Sequence, residues 1–355
     1  FYKSVADFHR AQIVLQGHWR FNGLPFCPRW AQSAAVTQDM KKLIPFLMTA
    51  LALPALGANY TVVPNWAKVP TGEKQIGSMH GDVAVSSKGE VYVSVQGGPK
   101  AGIQVYSATG KYLRNVPGAP GDFHGFVIKK LAGGEHIYGA RLGGQNILKL
   151  TLDGKVKLDI PGSVIPAKLK NGNRLRLTAM DVAPNGDLFV VDGYSSDRIH
   201  HFDKAGKYLK SFGGKKEFGT KTLHKICIDT RYNPPRILGA DREGLRLIHV
   251  SLEGKFLGVY AKDVLRPAAV AVYGDLAVAG EIKGRATLYD KSGKVVAKLG
   301  HNTTPGETAT NRLPPAKWRP GIFSAPHGVA FNAAGDLFVA EYTVFGRIHR
   351  YNVKR

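Results

Sequence analysis

The sequence predicts an all-β protein that folds as a six-bladed β-propeller, and three observations support this. Strand-like segments alternate with short turns from about residue 80 onward, without helical periodicity. Gly-Lys pairs recur in tight turns, where glycine adopts a positive φ and lysine faces water. A unit of four strands returns at a spacing of about 45 residues, which is typical of propeller blades.

The repeating unit is complete in residues 180–213, where four strands are separated by a G-D turn, a polar loop and a G-K turn. Residues 81–114 repeat it, and residues 327–353 repeat three of its strands. We expect residues 60–66 to supply the missing strand and close the ring. The first strands of the six units begin near Gly81, His124, Met180, His224, Ala268 and His327.

These starting points lie 43, 56, 44, 44 and 59 residues apart. The two longer intervals contain insertions, residues 161–177 and residues 301–323. Loops of this length on a compact fold are often functional. The insertions are therefore candidate parts of a binding site.

The N-terminal region differs from the repeats. Residues 40–58 begin with Met-Lys-Lys, continue with eleven apolar residues and end in small residues suited to cleavage. This order is typical of a secretory signal peptide and is too short to span a bilayer. A buried N-terminal helix is the alternative, against which Pro45 and Pro54 argue. We expect residues 1–39 to lie outside the mature protein and residues 59–355 to form a single propeller domain.

The mature protein is accordingly expected in the periplasm or outside the cell, as a monomer without a transmembrane segment. Its sequence carries 49 Lys and Arg against 26 Asp and Glu, a formal net charge of +23. The lysines are spread over hairpin turns, and aromatic residues are not interleaved with them for base stacking. The sequence therefore predicts a solvated basic rim and no specific nucleic-acid partner.

One position of the first strand is histidine in the second, fourth and sixth units, namely His124, His224 and His327. First strands line the central channel of a propeller, so alternate blades place these side chains about 120° apart around one axis. We predict that the three imidazoles converge and bind zinc or another divalent transition metal, with coordination positions left open. His80 lies one residue off this column and is expected to be auxiliary. A second set in the third strands should be structural or exposed, namely His200, His249 and His349.

Polar side chains follow the second strands, beside the loops that should share the face of the metal. The candidates are Arg141, Asp192, Tyr194, Asp241 and Arg242. A tyrosine near a metal can act as a general base, because the cation lowers the pKa of its phenol. An arginine can hold a substrate carboxylate through two parallel hydrogen bonds. Asp192 and Asp241 could bind substrate, although turn capping or pairing with a neighbouring arginine is an equal alternative.

Several of these stretches carry a resemblance to a known family. They are "FHGFVI" (123–128), "DVAPNGDLFVVDGYSSDRI" (181–199), "LHKICID" (223–229), "GADREGLRLI" (239–248) and "APHGVAFNAAGDLFVAEY" (325–342). They resemble stretches of the peptidyl-α-hydroxyglycine α-amidating lyases, relatives of the six-bladed NHL-repeat propellers. The similarity covers most of the repeat region.

The resemblance implies that the three column histidines bind zinc, that Tyr194 is the base and that Arg242 lines the site. The implied reaction converts a hydroxyglycine-extended peptide to a peptide amide and glyoxylate. Two positions depart from the family pattern. The family's first-blade arginine has no counterpart in residues 94–102, where Arg141 is the candidate replacement. The aspartate that follows the third histidine and helps to hold calcium is Gly328 here, which argues against calcium.

The leading interpretation is an exported, metal-dependent propeller enzyme that resembles the amidating lyases and acts on a small-molecule or peptide substrate. The alternative is a non-enzymatic NHL-type scaffold that binds a protein or an envelope polymer, since fold alone does not decide between these uses. A calcium-dependent lactonase-like propeller is a third interpretation. It would need carboxylates and amides in the channel, whereas the histidine column suits zinc-like metals.

Overall fold

The computed structural model describes residues 59–172 and 174–354. The predictions for residues 1–39 and 40–58 lie outside the described residues. Across the described part, 24 strands form six antiparallel sheets of four strands each. The predicted six-bladed β-propeller is thereby confirmed. No helix in this part of the chain is long and apolar enough to cross a membrane.

The first three blades each consist of four consecutive strands. Blade 1 contains β2 (Val83–Val85), β3 (Val91–Val95), β4 (Gly102–Tyr106) and β5 (Tyr112–Asn115). Blade 2 contains β6 (Phe123–Leu131), β7 (Gly134–Arg141), β8 (Asn146–Thr151) and β9 (Val156–Pro161). Blade 3 contains β10 (Ala179–Val182), β11 (Leu188–Val191), β12 (Arg198–Phe202) and β13 (Tyr208–Gly213).

Blades 4 and 5 follow the same plan, and blade 6 borrows one strand. Blade 4 contains β14 (Leu223–Asp229), β15 (Arg236–Asp241), β16 (Arg246–Ser251) and β17 (Phe256–Ala261). Blade 5 contains β18 (Pro267–Tyr273), β19 (Leu276–Glu281), β20 (Arg285–Tyr289) and β21 (Val295–Leu299). Blade 6 contains β22 (Pro326–Phe331), β23 (Leu337–Glu341), β24 (Ile348–Val353) and β1 (Tyr60–Val63).

The described helices are all short. They are α1 (Lys215–Phe218) and the 3₁₀ turns Gly162–Val164, Ala167–Leu169 and Pro315–Lys317. Two of the 3₁₀ turns lie in the insertion between blades 2 and 3, and the third lies in the insertion between blades 5 and 6.

The ring closes through the pairing of the N-terminal strand with the last one. Strand β1 runs antiparallel to β24, with Tyr60 opposite Val353. The backbone N–H of Lys354 extends this pairing by donating to the carbonyl of Asn59 at 2.7 Å. The predicted closure of the ring by residues 60–66 is correct.

The Gly-Lys turns have the predicted conformation. The glycine has a φ between 85° and 95° in all five turns, namely Gly110, Gly154, Gly206, Gly254 and Gly293. A residue with a Cβ is strained in this left-handed region, so glycine is the residue that allows each hairpin to turn tightly.

Adjacent blades are held together by apolar side chains that lie between their sheets. Phe189 and Val191 of blade 3 belong to the same buried cluster as Leu223, Ile226 and Ile248 of blade 4. Similar clusters join other pairs of blades. This packing fixes the first strands around the channel, which is the part of the fold that positions the histidines.

Candidate metal centre

Each column histidine lies at a bulge in the first strand of its blade. In blade 2, Phe123 pairs with Arg141 and Gly125 pairs with Ala140, so His124 is the extra residue between them. The same shift in register leaves an extra residue in β14 and in β22, namely His224 and His327. A bulge redirects a side chain relative to the regular pleat. The three bulges thus redirect the histidine side chains from the regular pleat of their strands.

A close approach between blades accompanies two of these bulges. A Cβ atom on Gly125 would lie 2.4 Å from the carbonyl oxygen of Thr178, and one on Gly328 would lie 2.9 Å from Cα of Asp82. Only glycine allows backbones to approach this closely. Gly328, where the family pattern has an aspartate, therefore cannot be replaced by an acidic residue without moving blade 1.

The column histidines are anchored by the blade that follows each of them. In every case Nδ1 lies within hydrogen-bonding distance of a backbone carbonyl oxygen: His124 with Thr178 (2.7 Å), His224 with Ala268 (2.6 Å) and His327 with Gly81 (3.0 Å). A carbonyl oxygen only accepts, so Nδ1 of each ring carries the proton and Nε2 carries a lone pair. Hydrogen bonds of this kind orient metal-binding histidines.

The structure brings the three imidazoles together on the channel axis. Their ring centroids lie 4.8 to 4.9 Å apart, for the pairs His124–His224, His124–His327 and His224–His327. All three side chains are buried. Burial is the main cause that lowers the pKa of each ring well below its ordinary value, and neighbouring imidazoles add to it. The rings are therefore neutral, which is the form that binds a metal.

The three Nε2 atoms have fewer hydrogen-bond donors than they need. The phenol oxygen of Tyr194 lies 2.8 Å from Nε2 of His224 and 3.2 Å from Nε2 of His124, and its single proton serves one of them. Nε2 of His327 is buried and has no hydrogen-bond partner among the described residues. Buried nitrogen lone pairs without donors are unfavourable unless a cation or a donor binds them. The donor set is therefore suited to a zinc-like cation.

A fourth imidazole, His80, stands beside this cluster. Its ring centroid lies 4.7 Å from that of His124 and 4.8 Å from that of His327. Ligand atoms of His80, His124 and His327 all lie within 4.8 Å of one another, so these three form a second candidate set of ligands. Burial, followed by the charges of Arg242 and Arg176, lowers the pKa of His80 to about 4. The sequence placed His80 in an auxiliary position, and the structure puts it in direct reach of the centre.

Tyr194 and Arg242 meet at the edge of the cluster. The guanidinium Nη1 of Arg242 donates to the phenol oxygen of Tyr194 at 3.1 Å, and its Cζ lies 5.1 Å from the centre of the phenol ring. Burial raises the pKa of the Tyr194 phenol, and the positive charge of Arg242 opposes this rise. Arg242 is thus placed to stabilise a phenolate at this position.

Asp192 and Asp241 are fully buried and serve the loops around the site. Asp192 accepts a hydrogen bond from the backbone N–H of Arg176 at 2.5 Å. Asp241 accepts from the side chain of Arg246 at 2.7 Å. This is the capping and pairing alternative that the sequence left open. We therefore do not include these carboxylates in the proposed substrate contacts.

Arg141 lies farther from the centre than Tyr194 and Arg242. Its Nε donates to a carboxylate oxygen of Asp122 at 2.7 Å. It lines a cleft of about 670 Å³ together with Arg174 and Arg176. The two latter arginines were not recognised from the sequence, although they lie in the insertion of residues 161–177.

Further along the first strands, buried carboxylates are paired with lysines. The ammonium group of Lys225 contacts a carboxylate oxygen of Asp82, and Nζ of Lys129 lies 2.9 Å from Oδ1 of Asp181. These ammonium groups supply the positive charge that a cation would otherwise bring. With Gly328 in place of an acid, the described residues do not fit a calcium ion here.

The second histidine column is bonded within its own blades. Nδ1 of His200 lies 2.7 Å from the hydroxyl of Ser211. His349 approaches a carboxylate oxygen of Glu341 at 2.9 Å. His249 approaches Asp229 at 3.1 Å. These contacts are structural and lie away from the centre, as the sequence predicted.

Comparisons with known proteins identify the fold. No family model matches the chain, and no curated protein matches it in sequence. Among solved structures, a streptogramin B lyase is 14% identical with a TM-score of 0.55, over 83% of this chain and 98% of that one. A gluconolactonase from Xanthomonas campestris is 12% identical with a TM-score of 0.60, over 85% and 93%.

A third similar structure is an inactive variant of virginiamycin B lyase from Staphylococcus aureus, determined with quinupristin. It is 15% identical, with a TM-score of 0.51, over 83% of this chain and 89% of that one. Identities this low establish the propeller fold alone. The resemblance to the amidating lyases and NHL propellers stays a prediction.

Proposed function

We propose that this protein is a metal-dependent propeller enzyme whose zinc, or other divalent transition metal, is held by His124, His224 and His327. The observation that carries the proposal is the three anchored imidazoles, whose ring centroids lie 4.8 to 4.9 Å apart. Among the described residues, the phenol of Tyr194 is the one donor that reaches their Nε2 atoms. Three imidazoles with open positions are typical of catalytic zinc sites. We also propose that the enzyme is exported, because residues 40–58 read as a signal peptide.

The reaction that we propose, from the resemblance to the amidating lyases, is a C–N lyase reaction on a hydroxyglycine-like substrate. A metal bound there would polarise substrate oxygens and lower the pKa of a bound hydroxyl group. Removal of the hydroxyl proton lets the C–O bond become a carbonyl while the C–N bond breaks, and the released nitrogen takes up a proton. The products are an amide and an aldehyde acid, without oxidant or reductant.

Tyr194 is the proposed base, and Arg242 is its partner. The phenol oxygen already lies within hydrogen-bonding distance of two column histidines and of Arg242. A substrate hydroxyl group that enters the cluster would meet this oxygen first. The guanidinium group stabilises the negative charge that the phenol carries while it accepts the proton.

The solved lyase and gluconolactonase structures support an enzymatic role, because they show that this fold carries chemistry on small molecules. The site favours an enzyme over a binding scaffold. Among the described residues, the phenol of Tyr194 is the one donor that reaches the Nε2 atoms of its three oriented, buried imidazoles, and a bound metal would satisfy their lone pairs. The substrate is the part of the proposal that rests on the resemblance alone.

Metal analysis of the purified protein tests the proposal. We expect about one equivalent of zinc or a similar metal in the wild type, and loss of that metal in each of the variants His124→Ala, His224→Ala and His327→Ala. The matched control is His200→Ala, which removes a buried imidazole outside the centre and should retain the metal. A folded wild-type protein that binds no divalent transition metal would refute the proposal.

The reaction is tested with a hydroxyglycine-extended peptide, by measuring glyoxylate and peptide amide. Tyr194→Phe should retain the metal and lose about 10²- to 10⁴-fold in rate, the usual contribution of a general base. A metal-loaded protein that leaves this peptide intact would keep the metal centre and refute the lyase assignment.

A further inference from the structure

Two adjoining clefts lead outward from the metal centre. The first, of about 410 Å³, is lined by His80, Tyr194 and Arg176. The second, of about 670 Å³, is lined by Arg176, Arg174 and Arg141. Arg176 belongs to both walls, so the two clefts adjoin at this side chain. We call the outer one the arginine cleft.

Two of these arginines, Arg174 and Arg176, lie in a segment that is anchored by buried side chains. Residues 174–177 read Arg-Leu-Arg-Leu, and both leucines are buried in the apolar cluster of blades 2 and 3. Side chains of an extended segment alternate in direction, so burial of Leu175 and Leu177 turns Arg174 and Arg176 outward. Both arginines are exposed.

The same segment is tied to the loop that carries the proposed base. The backbone N–H of Arg176 donates to Asp192, and the carbonyl of Arg176 accepts from the backbone N–H of Tyr194 at 3.4 Å. The hydroxyl of Ser195 donates to the carbonyl of Arg174 at 3.1 Å. The guanidinium carbon of Arg176 lies 5.5 Å from the ring centre of Tyr194. Asp192 therefore positions a cation beside the base.

Among the residues that the structure describes, these two guanidinium groups have no anionic partner. Within residues 59–172 and 174–354, neither Arg174 nor Arg176 forms an ion pair or a side-chain hydrogen bond, whereas Arg141 is paired with Asp122. Arginine is favoured in sites that bind an oxyanion because its planar fork donates two parallel hydrogen bonds to it. A positioned arginine pair without an anion, at the mouth of a cleft, is suited to bind one.

We propose that the arginine cleft binds an oxyanion of the substrate, a carboxylate or a phosphate, through Arg174 and Arg176. The substrate is then an acidic molecule. This inference rests on the proposed function, since it names the substrate class of the same site. It assigns a role in recognition to the insertion between blades 2 and 3.

Anion binding to the whole protein tests the inference, with three probes measured by isothermal titration calorimetry at low salt. The probes are glutarate, its neutral diamide glutaramide, and inorganic phosphate. We expect an anion to bind the wild type and glutaramide not to bind. In the double variant Arg174→Gln/Arg176→Gln, anion affinity should fall by about tenfold or more, because charge-assisted hydrogen bonds are lost.

A matched control removes the same amount of charge from the same insertion. Lys168→Gln/Lys170→Gln changes two lysines that do not line either cleft, and it should leave anion affinity within about twofold of the wild type. Tighter binding of glutarate than phosphate would identify a carboxylate substrate, and the reverse order would identify a phosphate. Equal anion affinity in the wild type and the arginine variant overturns the inference, as does an equal loss in the lysine control.

Failure of the metal centre is recognised separately. The arginine variant should retain the metal content of the wild type, because neither arginine contacts a column histidine. A metal-free wild type that still binds anions through the two arginines would refute the proposed function and leave the anion site. A metal-loaded protein that does not bind anions would refute the anion site and leave the proposed function.

Discussion

Replacement of Lys225 by methionine tests whether its ammonium group substitutes for a structural cation in the channel. The side chains of Lys225 and Asp82 are only 7% and 3% exposed, and they form an ion pair. Breaking a buried pair by removing one partner typically costs about 3–5 kcal/mol, because the remaining charge is left uncompensated. Asp82 keeps one further hydrogen bond, from the backbone N–H of Phe126 at 3.2 Å. Burial already raises the pKa of Asp82, so protonation also limits the loss.

We therefore expect Lys225→Met to lose about 3 kcal/mol, at the lower end of that range. Unfolding entropy of about 2.1 cal/mol/K per residue gives roughly 0.6 kcal/mol/K for a domain of about 300 residues. The expected decrease in Tm is then about 5 °C. The double variant Lys225→Met/Asp82→Asn removes both charges and should recover much of this loss, since a pair replaced as a whole is often close to neutral.

The assay is thermal unfolding followed by circular dichroism, with and without added calcium. Lys155→Met is the control, since Lys155 lies 3.6 Å from Asp153 on the surface with side chains 77% and 64% exposed. It should leave Tm unchanged, because such pairs contribute little. Calcium should not raise the Tm of the wild type. A Tm for Lys225→Met equal to that of the control, or clear stabilisation of the wild type by calcium, would refute the reasoning.

Two further predictions concern the choice of ligands and the response to acid. If the column histidines are the metal ligands, His224→Ala weakens metal binding by more than about 100-fold, while His80→Ala weakens it by about 10- to 100-fold, as expected for an outer contact. Competition with a metal chelator measures both affinities. A larger loss in His80→Ala than in His224→Ala would make His80 a ligand in place of His224. Burial raises the pKa of Asp229, but hydrogen bonds from Arg231 and His249 outweigh it and hold that pKa below its ordinary value. A carboxyl group with a depressed pKa stabilises the fold above about pH 4, and this stabilisation is lost as the pH falls toward the folded-state pKa. Asp229→Asn should therefore lower Tm at pH 7, and the difference in Tm between the variant and the wild type should be smaller below pH 4. A gap in Tm that stays constant between pH 7 and pH 3 would contradict this.

The blade pattern could be read from the sequence because it repeats. A constant period with a fixed turn chemistry specifies the fold, and one position compared across six units identified His124, His224 and His327. A feature that occurs in only one blade cannot be identified by comparing the repeats. His80 lies in the loop before the first strand of blade 1, off the column, so its approach to the centre depends on a backbone path that spacing does not describe.

The sequence predicted a functional role for the insertion of residues 161–177 from its length, but it did not single out any residue in it. Its two arginines alternate with leucines, and that alternation became informative only once the leucines were seen to be buried. Asp192 and Asp241 were ambiguous for a related reason. A carboxylate after a strand can face a substrate or cap a loop, and the choice depends on neighbouring N–H groups that come from distant parts of the chain.

The use of alternate blades has a physical explanation in the hydrogen bonds between them. Each histidine needs a carbonyl group to hold Nδ1, and the carbonyl comes from the next blade, which must bring its backbone close. The blades that supply these carbonyls carry Gly81, Met180 and Ala268 at the column. Three histidines and three carbonyl acceptors thus alternate around the ring of six. Because every anchor crosses a blade interface, and the anchor of His327 joins blade 6 to blade 1, closure of the ring positions the candidate site as well as the fold.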